Sequence, residues 1–111
     1  MSVSFGGFHN ETATFKTSAE MEKGTPVTIS ANGTVAAAGS SAFCGIVDNC
    51  DGQYAAVQIY GEVTAAYTGT APSLGYTKLA ASGTAVKSSE AGREYLVISV
   101  DETAGSVTFL M

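Results

Sequence analysis

A strand–turn–strand pattern occurs twice in this sequence, first over residues 26–35 and again over residues 77–86. In each copy a small polar residue, a glycine and a threonine separate two more apolar stretches. Glycine supplies the positive φ that a tight hairpin requires, and Asn-Gly is the strongest short hairpin signal. Two hairpins, each followed by an apolar run, predict a compact all-β domain. The predicted turn residues are Asn32 and Gly33 in the first copy and Ser82 and Gly83 in the second.

Apolar and polar residues alternate in the segments around these hairpins, with the period of half-buried strands. Residues 54–67 form the longest such stretch, and Gly61 in its middle indicates two strands, or one strand bent at a barrel corner. Residues 17–24 fit either one helical turn or a polar connector. Closely spaced short strands with turns between them predict a small barrel or sandwich built from glycine-turn hairpins.

The N-terminal residues 1–12 differ from the rest of the chain, and we assign a single β domain to residues 13–111. Phe5 and Phe8 flank a Gly-Gly pair, whose ordering has a large cost in backbone entropy. We therefore expect a mobile arm that orders on a partner, where the two phenylalanines fill apolar pockets. Because ordering costs about 1–2 kcal/mol of backbone entropy per residue, we expect the arm alone to bind weakly.

The charge balance argues against nucleic acid and anionic membranes as partners. The chain has 111 residues with ten acidic and five basic side chains, a net charge of −5. The bases are scattered, whereas nucleic-acid affinity rests on basic groups that neutralise phosphates. Only 14% of the residues are charged, so the surface suits packing against other protein. The N-terminus shows neither the basic nor the apolar region of a signal peptide, and we expect synthesis in the cytoplasm.

Residue types that carry catalysis are few and scattered. The single histidine, His9, lies in the arm without the supporting group that a general base requires. Cys44 and Cys50 lack the clustered ligands of a metal site, and we interpret them as free thiols in or near the core. A disulfide between them is the alternative, although a reducing cytoplasm disfavours it. The sequence predicts no enzymatic activity and implies no cofactor or metal.

Tyrosines on the central strands are the remaining functional candidates, because tyrosine combines contact area with a polar tip and is enriched at interfaces. The alternative is that some of them simply cap the ends of a barrel. The predicted interface residues are Phe5, Phe8, His9, Tyr54, Tyr60 and Tyr67.

Five segments resemble the small capsid-associated proteins of tailed phages and prophages, which are head decoration or head-fibre-like proteins. The segments are KGTPVTISANGTVAAA, FCGIV, AAVQIYGEVTAAY, LGYTKLAASGTAVK and YLVISVDETAGSVTFLM. The shared theme includes a glycine hairpin and short strands with a glycine before two apolar residues. Gly45 and the two residues after it match this theme, whereas Glu62 departs from it after Gly61. The resemblance covers residues 21–111.

The resemblance implies a small β-rich protein that binds the major capsid protein on the outside of an assembled head shell and reinforces it. It implies a homo-oligomer, with a trimer favoured, that is made in the bacterial host cytoplasm and resides on the virion. Decoration proteins of the lambda type use an N-terminal arm that orders on the shell, and residues 1–12 resemble that arm in character. One alternative is a carbohydrate- or cell-surface-binding module of a phage tail or adhesin. Another is an enzyme subunit whose site a partner completes.

Overall fold

The computed structural model describes residues 11–111, which form ten β-strands and contain no helix within that range. The strands are β1 (Glu11–Lys16), β2 (Pro26–Ala31), β3 (Thr34–Ala37), β4 (Gly45–Cys50), β5 (Tyr54–Tyr60), β6 (Glu62–Ala66), β7 (Gly75–Ser82), β8 (Ala85–Ser88), β9 (Arg93–Asp101) and β10 (Ser106–Leu110). The first five strands close into a barrel in the order β1-β3-β2-β4-β5. The last five form a second sheet in the order β6-β10-β9-β7-β8. The all-β prediction is confirmed.

Glycine turns join β2 to β3 and β7 to β8. Gly33 and Gly83 both have a φ of +63°, a conformation that residues with a Cβ rarely adopt. Asn32 and Gly33 form the first turn, as predicted. The second turn lies one residue later than predicted, on Gly83 and Thr84, so that Ser82 ends β7. The two hairpins differ in register because β2 carries a bulge just before its turn.

The pairing pattern of the first barrel recurs in the second sheet. β1 pairs antiparallel with β5 and parallel with β3. β6 likewise pairs antiparallel with β10, and a parallel bridge between Tyr67 and Val86 connects the end of β6 to β8. The hairpin strand β2 lies beside β4, and its counterpart β7 lies beside β9. The duplicated hairpin in the sequence therefore belongs to a duplicated five-stranded unit.

Each unit has its own hydrophobic core, and the two cores differ in size. The first contains Val27, Val35, Val47, Ala55 and Val57, with Phe15, Met21 and Cys50 packed against them. The second is larger and aromatic, and it includes Leu79, Tyr95, Val97, Val107 and Phe109. Ala38, Phe43 and Ile46, which lie between or within strands of the first barrel, belong to this second core. The connection from β3 to β4 therefore ties the two units together.

Several boundaries differ from those that the sequence predicted. β1 begins at Glu11, two residues before the predicted start of the domain, because Glu11 already pairs with Tyr60. The stretch between β1 and β2 is a connector without a helical turn. Gly61, with a φ of +104°, separates two strands, which is one of the two predicted alternatives. In the apolar run after the first hairpin, β4 starts only at Gly45, and Phe43 packs into the second core.

Candidate functional site

The outer face of β5 carries two of the predicted interface tyrosines. Tyr54 and Tyr60 lie at the two ends of the strand and are 51% and 54% exposed. Alternation places Ala56 and Gln58 on the face of Tyr54, and a register shift in the pairing with β1 lies between Gln58 and Tyr60. At about 3.3 Å per residue, the two tyrosines stand about 20 Å apart. We call these four residues the β5 face. Smaller side chains between two large exposed rings leave room for another protein surface to approach.

Strand β1 borders the β5 face and adds a charge at each end. Lys16 lies opposite Tyr54, and Glu11 lies opposite Tyr60. A shallow cavity of about 170 Å³ opens beside the Tyr54 end. It is lined by Thr14, Asn49, Cys50, Asp51, Tyr54 and Ala56. The β5 face therefore offers aromatic contacts, a small recess and one charge of each sign.

The turn that presents Tyr54 is held by Asp51. β4 continues to Cys50, so residues 51–53 connect it to β5. The backbone N–H groups of Tyr54 and Gln53 donate to Asp51 Oδ1 at 2.8 and 2.9 Å. These two hydrogen bonds lower the pKa of Asp51 below its ordinary value of 3.8. The carboxylate thus fixes the start of the β5 face.

The other predicted interface residues do not join the β5 face. Tyr67 follows β6, bridges to Val86 and packs, partly buried, against the second core. Tyr67 is therefore not part of the exposed surface of β5, and the alternative that some tyrosines cap the ends of a barrel stays a prediction. Phe5, Phe8 and His9 lie outside the described residues.

A second exposed surface lies on the second sheet around Tyr76, which the sequence analysis did not single out. The side chain of Tyr76 is 73% exposed and that of the nearby Leu74 is 69% exposed. Lys78 Nζ lies 3.3 Å from Glu90 Oε2 beside it. Tyr76 and Lys78 share the outward parity of β7, a signal that was readable in the sequence. The groove here has a volume of about 510 Å³ and is lined by Ser73, Tyr76, Thr77, Lys78, Ser88, Ser89, Glu90 and Glu94.

The buried tyrosine of the second core has a structural role. The Tyr95 hydroxyl donates a hydrogen bond to the carbonyl oxygen of Phe43, and the two rings stack with centroids 5.1 Å apart. Burial raises the pKa of Tyr95 above its ordinary value of 10.0, and the nearby Arg93 guanidinium opposes that shift. Tyr95 therefore holds the β3–β4 connection in the second core.

Potential metal and redox groups are dispersed over the described part of the chain. Across residues 11–111 no group of three or more His, Cys, Asp or Glu side chains could hold a metal ion. Cys44 and Cys50 are free thiols of intermediate exposure. The same residues include no helix long and apolar enough to cross a membrane.

Comparison with known proteins does not assign this chain to a family. No protein-family model matches the sequence, and no curated protein gives a match. The fold, the exposed surfaces and the motif resemblance are therefore the grounds for a functional proposal.

Proposed function

We propose that this chain is a non-enzymatic structural protein that binds the outer surface of a phage head shell and stabilises it. The observation that carries the proposal is the β5 face, an exposed strand surface with Tyr54 and Tyr60 at its two ends. Tyrosine is enriched where protein surfaces meet, because it contributes a large contact area with little loss of side-chain freedom. The all-β fold and the five motif segments support the same role.

The partners follow from this proposal. The major capsid protein would be the primary partner, and several copies of the chain would associate on the shell, with a trimer favoured. The net charge of −5 disfavours nucleic acid and anionic membranes, because both carry negative charge. The protein would be made in the bacterial host cytoplasm and reside on the capsid surface of the virion.

Binding to assembled shells tests the proposal. The purified chain is mixed with heads of the phage whose genome encodes it, and co-sedimentation measures the affinity. Tyr54→Ser combined with Tyr60→Ser is expected to weaken binding by about thirtyfold or more, because a single interface hot spot contributes about 2 kcal/mol or more and about 1.4 kcal/mol corresponds to a factor of ten. Tyr76→Ser is the matched control, since Tyr76 is more exposed and lies on the other unit.

Three outcomes contradict parts of the proposal. A wild-type chain that does not bind the heads contradicts the function. If the wild-type chain binds heads, and Tyr76→Ser weakens that binding while the β5 double variant does not, the contact lies on the second sheet and not on the β5 face. Light scattering at micromolar concentration tests self-association of the chain separately. A monomer that still binds heads would contradict only the proposed trimer.

The groove around Tyr76 supports a second candidate function, a carbohydrate- or cell-surface-binding module. An exposed aromatic ring beside hydroxyl, carboxylate and ammonium groups is an arrangement in which a sugar ring can stack and form hydrogen bonds. A glycan array followed by calorimetry tests this function. Saccharide binding that is lost with Tyr76→Ser and kept with the β5 double variant would favour it over shell binding.

A further inference from the structure

The asparagine of the first hairpin turn is the only asparagine in the chain that is followed by glycine. The asparagines are Asn10, Asn32 and Asn49, and the residues after them are Glu11, Gly33 and Cys50. The main-chain nitrogen after an asparagine can close a five-membered ring with the side-chain amide carbon of that asparagine. Glycine has no side chain to hinder this approach. Asn32 is therefore the asparagine most open to attack by its own backbone.

The structure leaves this turn accessible to solvent. Residues 29–33 form a continuous exposed run at the tip of the β2–β3 hairpin. A Cβ added to Gly33 would meet no atom within 4 Å apart from its neighbours in the chain. From Thr28 onward, no strand formed by residues 11–111 pairs with the β4 side of β2. Water can thus reach the Gly33 N–H and the Asn32 side chain from outside the barrel.

The backbone N–H groups of the two turn glycines differ in their hydrogen bonds. Gly83 N donates to Gly39 O at 3.0 Å. Gly33 N has no such backbone acceptor within residues 11–111, although Gly33 O accepts from Lys16 N at 2.9 Å. An amide N–H without an acceptor is the more open to loss of its proton. Ser82 precedes Gly83, and a serine side chain has no amide carbon that could form the ring. The second hairpin is therefore an unreactive counterpart within the same chain.

The chain also has one aspartate–glycine pair, Asp51 and Gly52, and its side chain is held in place. Asp51 Oδ1 accepts hydrogen bonds from the N–H groups of Tyr54 and Gln53 at 2.8 and 2.9 Å. These bonds lower the pKa of Asp51, so the side chain is a carboxylate at neutral pH. A carboxylate resists attack by an amide nitrogen because of its negative charge. The ring-closing reaction is therefore expected at Asn32 and not at Asp51.

We propose that Asn32 is a site of spontaneous modification, at which its side-chain amide is converted to aspartate and isoaspartate through a cyclic imide. Water or hydroxide removes the Gly33 N–H proton, the Gly33 nitrogen bonds to Asn32 Cγ, and the Cγ–Nδ2 bond breaks. Nδ2 leaves as ammonia with a proton supplied by water. A water molecule then opens the imide at Cγ, which gives aspartate, or at the backbone carbonyl carbon of Asn32, which gives isoaspartate. One water replaces one ammonia, and nothing is oxidised or reduced.

The modified turn lies beside the contact that closes the first barrel. Within residues 11–111, β1 and β3 share a single registered pair, Lys16 and Thr34, next to the bond from Lys16 N to Gly33 O. β1 pairs with β5, in contrast, along its whole length. Isoaspartate inserts an additional main-chain carbon before Gly33 N, which shifts Gly33 O relative to Lys16 N. Conversion of Asn32 is therefore expected to loosen the closure between β1 and β3. This inference does not depend on shell binding.

Timed incubation of the full chain tests the modification. The protein is kept at neutral and at mildly alkaline pH, and peptide mapping by mass spectrometry follows Asn32 and Asn49. The peptide with Asn32 is expected to gain the mass difference between OH and NH2. The gain should be several-fold faster at alkaline pH, because the attack requires a deprotonated Gly33 nitrogen. Enzymatic methylation specific for isoaspartate identifies that product. Asn49, which pairs with Ala56 inside β4, is the internal control and should stay unchanged.

Two variants separate the modification from its consequence. Asn32→Ser carries the residue of the second hairpin and should neither gain mass nor lose stability on incubation. Fresh Asn32→Asp carries the new charge without the additional main-chain carbon and should melt close to fresh wild type. Converted wild type is expected to melt about 4 °C or more below fresh wild type, a shift that corresponds to the loss of about one backbone hydrogen bond in a domain of this size.

Three results contradict the proposal. No mass gain at Asn32 at either pH would show that the turn does not form the imide. Equal conversion of Asn32 and Asn49, or isoaspartate at Asp51, would show that the open Gly33 N–H does not select the site. Converted protein that melts like fresh protein would separate the modification from barrel closure. Conversion confined to Asn32, together with a lower melting temperature, supports the proposal.

Discussion

The first barrel and the second sheet share a strand order but use different cores. The first is filled mainly by valines, whereas the second is built around Phe43, Tyr95 and Phe109. One of those three rings comes from the loop between β3 and β4 of the first barrel. The second unit therefore depends on the first for its packing, and duplication of a fold has not produced two independent domains.

Phe43→Ala should have the largest effect on stability. Removal of a fully buried phenylalanine typically lowers the free energy of unfolding by about 3–5 kcal/mol, and here it also separates the two units. Phe15→Ala, which trims a partly buried ring beside the first core, should lower the free energy of unfolding by less. Urea denaturation followed by circular dichroism measures both. A smaller loss for Phe43→Ala than for Phe15→Ala would contradict the proposed dependence.

The turn glycines should show an intermediate effect of equal size in the two units. Gly33→Val and Gly83→Val each place a β-branched residue at a φ of +63° with no atom within 4 Å of the new Cβ. Backbone strain alone should therefore lower the free energy of unfolding by about 1–3 kcal/mol in each variant. Thr84→Val, at a neighbouring position without positive φ, is the control. A clearly unequal pair would show that the hairpins support the two units differently.

The smallest effect concerns Tyr95 and pH. Tyr95→Phe removes the hydrogen bond to the Phe43 carbonyl and should lower the free energy of unfolding by about 1 kcal/mol at neutral pH. Burial raises the pKa of Tyr95 in the folded protein, so its stabilising contribution is complete below pH 10 and declines as pH rises through the folded-state pKa. Melting temperatures measured from pH 8 to 12 should fall less steeply for Tyr95→Phe than for wild type. Tyr76→Phe, on an exposed ring, should leave the slope unchanged, and identical slopes for all three proteins would exclude this role for Tyr95.

Local signals in the sequence were sufficient for the first hairpin turn, and they located the second to within one residue. Asn32 and Gly33 form the predicted turn because a two-residue connection between alternating strands has few alternatives. Tyr54 is exposed because the period of a strand places it on the face opposite Val57. Gly61 also separates β5 from β6 for a local reason, because its φ is positive.

The sequence did not predict which residues distant in the chain pack together. The run from Phe43 to Val47 looks like one buried strand, but Phe43 belongs to the core of the other unit because β4 starts at Gly45. Tyr67 looks like Tyr54 in its local pattern, yet the bridge to Val86 carries it against the second core. Which surface buries an apolar residue depends on the partner element, and a local pattern carries no information about that partner.

The sequence by itself determined the all-β character, the first glycine turn, the repeated hairpin pattern and the low charge of this protein, because each of these follows from the conformational preferences and chemistry of neighbouring residues. Only the tertiary structure decided how the two copies would differ. It placed Phe43 across the boundary between them, covered Leu79 and left Ile29 exposed. The physical reason is that burial is a property of contacts between residues distant in the chain, so two similar hairpins acquire different surroundings once one unit packs against the other.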